Sequence, residues 1–172
     1  MDSNKNHREF SKALHDFTFD VAGGAAIRHL ANLGYTVPEI KRQLDYPMSE
    51  TQIAQAMWKH LIDTGIIALE DPADNPPKER VTYVSCKGEY GRTYFKRVAK
   101  PNCIEADAVY IKCDFGRMKY KDREGFAKRV ALLEQSDQDY ISYLPWPLNA
   151  VWHKMDSRIE RIAAIMNMDV DC

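Results

Sequence analysis

Thr36-Val37-Pro38-Glu39-Ile40-Lys41-Arg42-Gln43-Leu44-Asp45-Tyr46-Pro47-Met48-Ser49-Glu50-Thr51-Gln52 contains two helix-start signals, at Thr36 and Ser49. Each is a hydroxyl at the N-cap with Glu or Gln three residues on, so side-chain and backbone groups at the helix start satisfy one another reciprocally. Leu33-Gly34 before the first signal and Gly65 after the second are helix stops. The pattern predicts a helix ending at Gly34, a short helix over 37–44, a turn at 45–48 and a longer helix to about Thr64.

Working outward, residues 1–19 read as a polar arm, and Asp20 can cap a helix whose Ile27, Leu30 and Leu33 share one face. The second helix buries Val37, Ile40 and Leu44. The third carries Ile53, Met57 and Leu61, widened by Ala54 and Ile62. After Gly65 the composition changes to a short strand at 66–69 and a proline-containing loop over 70–77. Two β-branched and aromatic runs, 81–87 and 92–98, flank Gly88-Glu89-Tyr90-Gly91, the pattern of a β-hairpin. A further strand at 108–113 follows, with Cys86 and Cys113 packed in strands.

Toward the C-terminus, Asp122 can cap a helix to about Glu134 with Phe126, Val130 and Leu133 inward. The run 140–147 then reads as an aromatic and proline connector that plugs the core or offers a docking surface. Leu148, Trp152, Met155, Ile159, Ile162 and Met166 recur at spacings of four, three, four, three and four. That rhythm predicts a final helix over 149–168 with a coiled-coil-like seam, packed on the protein's own core or used for a homodimer. The self-association or partner residues on this reading are Trp152, Met155, Ile159, Ile162 and Met166. The expected organisation is an arm (1–19), a domain over 20–100 and an interaction region over 101–172.

The order of helix, turn, helix, short strand and hairpin over about 20–98 resembles the winged helix-turn-helix family of DNA-binding proteins. His60-Leu61-Ile62-Asp63-Thr64-Gly65-Ile66-Ile67 looks like the point at which the recognition helix enters the first wing strand. The fold class expected is α+β: an N-terminal winged helix-turn-helix of three helices plus a β-hairpin, then a strand and two C-terminal helices. The resemblance implies a third helix entering the major groove of duplex DNA by its N-terminal end. Thr51, Gln52, Gln55 and Lys59 lie off its apolar stripe, where Gln can pair with adenine edges and Lys can reach guanine or phosphate. Ser49 and the amides behind it could hold a phosphate. On the hairpin, Arg80, Lys87, Arg92, Lys96 and Arg97, with Tyr90 at the tip, suit a phosphate backbone or a minor groove. Glu50 departs from the basic character expected of a recognition helix.

The chain has 172 residues, 45% of them hydrophobic, and a net charge of −1. That charge argues against coating nucleic acid by bulk positive potential, but its distribution is uneven. Residues 78–130 hold fourteen Lys or Arg against seven Asp or Glu, a net of +7, while the two flanks together are at −8. This is either a set of ordinary solvated faces or a DNA-contacting middle between acidic ends. Four irregularly spaced cysteines and five scattered histidines predict reduced thiols and neither metal nor cofactor. No long apolar run and no apolar leader are present, so the expectation is a cytoplasmic protein with no membrane partner.

Sequence signatures of enzymes are also missing. There is no glycine-rich phosphate loop, His-Glu-x-x-His or Gly-x-Ser-x-Gly, and the strand Tyr110-Ile111-Lys112 lacks the acid that a metal-dependent nuclease would need. The leading expectation is therefore a non-enzymatic, DNA-associated regulatory protein of a phage or mobile element. Size, lack of catalysis and split charge are also similar to anti-CRISPR proteins, which implies an inhibitor binding a Cas9-type nuclease or another host protein and blocking its DNA binding or cleavage. A third reading keeps the helix-turn-helix as a fold only, in a dimeric interaction module.

Overall fold

The structure, a computed structural model, describes residues 23–74, 80–88, 91–100 and 108–166. The arm at 1–19 and the Asp20 cap lie outside the described residues. Among those described, the chain is α+β, with seven helices and five strands: α1 (Gly24–Asn32), α2 (Val37–Gln43), α3 (Glu50–Asp63), β1 (Ile67–Ala68), β2 (Arg80–Lys87), β3 (Thr93–Lys100), β4 (Tyr110–Cys113), α4 (Phe115–Lys121), α5 (Arg123–Val130), α6 (Gln135–Tyr143), β5 (Val151–Lys154) and α7 (Ser157–Met166).

Both helix starts form as the sequence reading expects. The Glu39 carboxylate accepts from the backbone N and the Oγ1 of Thr36, each at 2.8 Å, completing a capping box on a fully buried threonine. Gln52 Oε1 accepts from Ser49 N and Oγ at 3.1 Å, and Ser49 Oγ accepts from Gln52 N at 3.2 Å. The two helix stops are equally local. Gly34 and Gly65 take φ of 85° and 73°, which side chains with a Cβ rarely adopt, and the next residue's amide bonds back to Leu30 or Leu61.

The chain divides into two compact units, each made from two segments: 1–60 with 118–146, and 61–117 with 147–172. A boundary at residue 100 coincides with neither. The first unit is helical. Ile27, Ile40, Ile53, Met57, Phe126, Val130, Tyr140, Ile141 and Leu144 are buried in it. Leu33, expected on the buried face of α1, is instead 61% exposed at that helix's C-cap. His60 Nε2 and Asn32 Oδ1 meet at 2.8 Å, tying α3 to the end of α1. Tyr140 and Ile141 make the 140–147 run a core plug, although its first half is the end of α6 rather than a connector.

The second unit is built on an antiparallel sheet ordered β1-β5-β4, with Ile67 and Ile111 both opposite His153. Alternation along β5 and β4 sends Val151, His153, Ile111 and Cys113 inward. From α7, Ile159, Ile162, Ala163 and Met166 are buried, an i, i+3, i+4, i+7 stripe. The hairpin β2–β3 belongs to the same segment of chain but forms its own two-stranded sheet, running from Arg80↔Lys100 to Lys87↔Thr93.

Three expectations are corrected here. The short strand after Gly65 does not lead into the hairpin's sheet; β1 pairs with β5, some 85 residues downstream, through Ile67↔His153 and Ala68↔Trp152. The region after β4 carries four helices, not two, because Asp122 both ends α4, by donating its N–H to Met118 O, and starts α5, where its Oδ1 accepts from Gly125 N at 2.9 Å. The final helix starts at Ser157 and not near 149. Asp156 Oδ1 accepts from Ile159 N at 2.7 Å and caps it, while Val151-Trp152-His153 is an extended strand. The heptad-like spacing thus joined strand and helix positions that share no helical face.

Candidate nucleic-acid interface

The seam read as a self-association surface is used internally. Ile159, Ile162 and Met166 are fully buried in α7. Trp152 lies on β5 with its ring under the Lys112 ammonium, 5.9 Å from the centroid, and Met155 is half-buried beyond the strand, donating its N–H to Val109 O. The apolar stripe of α7 is thus turned into the protein's own core.

Along α3, the structure does bring Thr51, Gln52, Gln55 and Lys59 together as exposed positions. Their chemistry is less free than their exposure. Gln52 Oε1 is committed to Ser49, and Ser49 N and Oγ are committed to Gln52, so the amide and hydroxyl expected to hold a phosphate already have partners. Glu50 places a carboxylate in the first turn and pairs with Lys41 at 3.0 Å. A shallow, open cleft of about 220 Å³ runs beside this end, lined by Glu50, Thr51, Ala54 and Gln55 and by Ser142, Tyr143 and Pro145. One turn on, Trp58 meets Trp146 edge-on with centroids 5.2 Å apart, and Trp146 meets Tyr140 at 6.1 Å. The start of α3 is therefore acidic and flanked along one side by the 142–146 segment.

The hairpin is different in kind. Between Arg80 and Lys100 the sequence has six cations, Arg80, Lys87, Arg92, Lys96, Arg97 and Lys100, and one acid, Glu89. Lys87, Arg92, Lys96 and Arg97 are exposed, and among the described residues none of them makes an ion pair. The side chain of Arg80 and the whole of Tyr90 lie outside what is described. The loop is closed by Gly88 N donating to Arg92 O at 2.8 Å around Gly91, whose φ is 72°.

Register assigns the faces of this ribbon. Val84, Cys86, Tyr94, Lys96 and Val98 share one side; Ser85, Lys87, Thr93, Phe95 and Arg97 share the other. Both sides carry exposed apolar side chains: Val84 is 44%, Tyr94 52% and Phe95 70% exposed. Tyr94 rests on the Gly88 backbone, where a Cβ would sit 3.3 Å from its ring. Phe95 is the most exposed of the three.

Phe95 is the residue that attention to charge and tip position alone passes over. A signal for it exists in Thr93-Tyr94-Phe95-Lys96-Arg97: aromatics and cations occupy both alternating positions, so no register can bury one face and solvate the other. Tyr120, 80% exposed between the exposed Lys119 and Lys121, is a second aromatic set among cations.

Buried ionisable groups lie elsewhere and serve the fold. Burial pushes the Cys113 thiol up to about 12, which favours the protonated form at neutral pH. Burial likewise holds the His153 imidazole below its ordinary 6.5. Among the described residues there is no group of three or more His, Cys, Asp or Glu placed to hold a metal, and no helix long and apolar enough to cross a membrane. No protein family, curated protein or solved structure matches the chain.

Proposed function

We propose that the protein is a non-enzymatic, DNA-associated regulatory protein whose DNA contact is made by the β2–β3 ribbon, with the start of α3 serving the fold. The observation that carries this reading is the ribbon itself: a sequence with six cations to one acid, of which Lys87, Arg92, Lys96 and Arg97 are exposed, in strands that among the described residues pair with each other alone. A solvated two-stranded ribbon would be an aggregation hazard if it were neutral, and lysines on open edges counter that. Solubility alone does not call for adjacent aromatics, which raise the hazard. Cations beside exposed aromatic rings suit a polyanion with bases.

On this reading the ribbon acts as the DNA-contacting wing, while the strand after α3 pairs in a separate sheet. Its regulatory role would come from occupying DNA. Binding should be dominated by phosphate contacts, so log K should fall with log salt at a slope of about −4 to −5 if all six cations engage. An electrophoretic shift assay with the full chain at low salt tests this. Retarded DNA that is released by added salt supports the reading, and no retardation at low salt on single-stranded or duplex DNA overturns it.

A further inference from the structure

We infer that the Phe95 face of the ribbon is a stacking platform for unpaired bases, so that the DNA form preferred at this site is single-stranded. The inference deepens the proposed function and rests on the reading that the ribbon binds DNA. Phe95 is 70% exposed and has no hydrogen-bonding atom. In a duplex, the base faces are occupied by neighbouring bases and only their edges line the grooves, which a phenyl ring can exploit little beyond a thymine methyl. An unpaired strand offers what this ring can use, because every base has a π-face.

The surroundings of Phe95 fit the rest of such a strand. Arg97 and Lys87 lie on the same side of the ribbon, Ser85 is its direct cross-strand partner, and Arg92 stands at the end of the loop. Strand positions two apart repeat at about 6.6–6.8 Å, close to the phosphate spacing of an extended single strand, so an aromatic between cations can hold a base while the cations follow its backbone. A second copy of the chain is the poorer occupant, since it would bring six like charges against six. An apolar protein groove would leave the cations unpaired.

The test is fluorescence anisotropy with the full chain and three labelled probes at low salt: dT20, a 20-nucleotide abasic strand and a 20-base-pair duplex. The inference expects dT20 to bind tighter than both other probes. Phe95→Ala should weaken dT20 at least about fivefold with little effect on the abasic strand, and Phe95→Trp should keep or strengthen the preference. Because Phe95 is exposed, both variants should melt with wild type, which separates a lost contact from a lost fold. Equal binding of dT20 and the abasic strand, unchanged by Phe95→Ala, overturns the stacking platform while the DNA reading stands. Failure of all three probes to bind overturns the DNA reading itself.

Discussion

The start of α3 and the β2–β3 ribbon both offer exposed polar and cationic residues, but they spend them differently. At α3, Ser49 and Gln52 satisfy each other, Glu50 pairs with Lys41, and Trp58 is held by Trp146. In the ribbon, hydrogen bonds close the ladder and the loop, while Lys87, Arg92, Lys96, Arg97 and the Phe95 ring point into solvent. Exposure therefore says little about availability. A polar side chain at a helix start is often exposed because it is capping, whereas cations on an open strand edge can be explained by solubility but the exposed aromatic beside them cannot.

The comparison breaks if changes on the helix side reach DNA affinity. Trp146→Ala removes edge-on contacts to Trp58 and Tyr140, and for a half-buried ring it should cost about 2 kcal/mol of stability by denaturant titration. DNA affinity measured well below the melting temperature should not change; a parallel loss would make the helical unit part of the site.

Acid offers a second, smaller handle. His153 is buried with its pKa depressed, so the unfolded chain binds its proton more readily than the folded one. Its contribution to stability is complete above the unfolded value near 6.5 and is lost as pH falls through the folded value, at no more than about 1.4 kcal/mol per pH unit. Denaturation midpoints should decline below pH 6.5 in wild type, and His153→Leu should flatten that limb. His153 lies on β5 and not in the ribbon, so affinity per folded molecule should hold.

Smallest is the cap. Ser49→Ala deletes one half of an exposed reciprocal pair and should cost about 0.5–1 kcal/mol in a urea melt, with DNA affinity unchanged. A drop in affinity without a drop in stability would return Ser49 to the phosphate-holding role that its position first suggests.

Local rules made α1–α3 and the hairpin legible. Capping boxes at Thr36 and Ser49, stops at Gly34 and Gly65, the Asp122 cap and the hairpin's loop all depend on residues within a few positions of each other. What stayed hidden depends on distant partners. Nothing near Ile67 says that its strand neighbour is His153, and nothing near Ser142 says that it will line a cleft with Gln55. The last helix misled for another reason: period-2 burial in β5 and the α7 stripe happen to add up to a 4-3-4-3-4 rhythm, and only the Asp156 cap marks where one ends and the other begins. In the ribbon the cations were readable at once, whereas Phe95 needed the register as well: only the mixing of aromatics and cations at both alternating positions of 93–97 marks it as a solvent-facing ring.

The most direct test of the central claim is the salt dependence of DNA binding in two double variants. For Lys96→Gln/Arg97→Gln, the slope of log K against log salt should become shallower by about 1.4–1.8, and low-salt affinity should fall. For Gln55→Ala/Lys59→Ala on α3, slope and affinity should match wild type. The reverse pattern, with the α3 variant losing slope and the ribbon variant keeping it, would contradict the account and place the DNA on the helix.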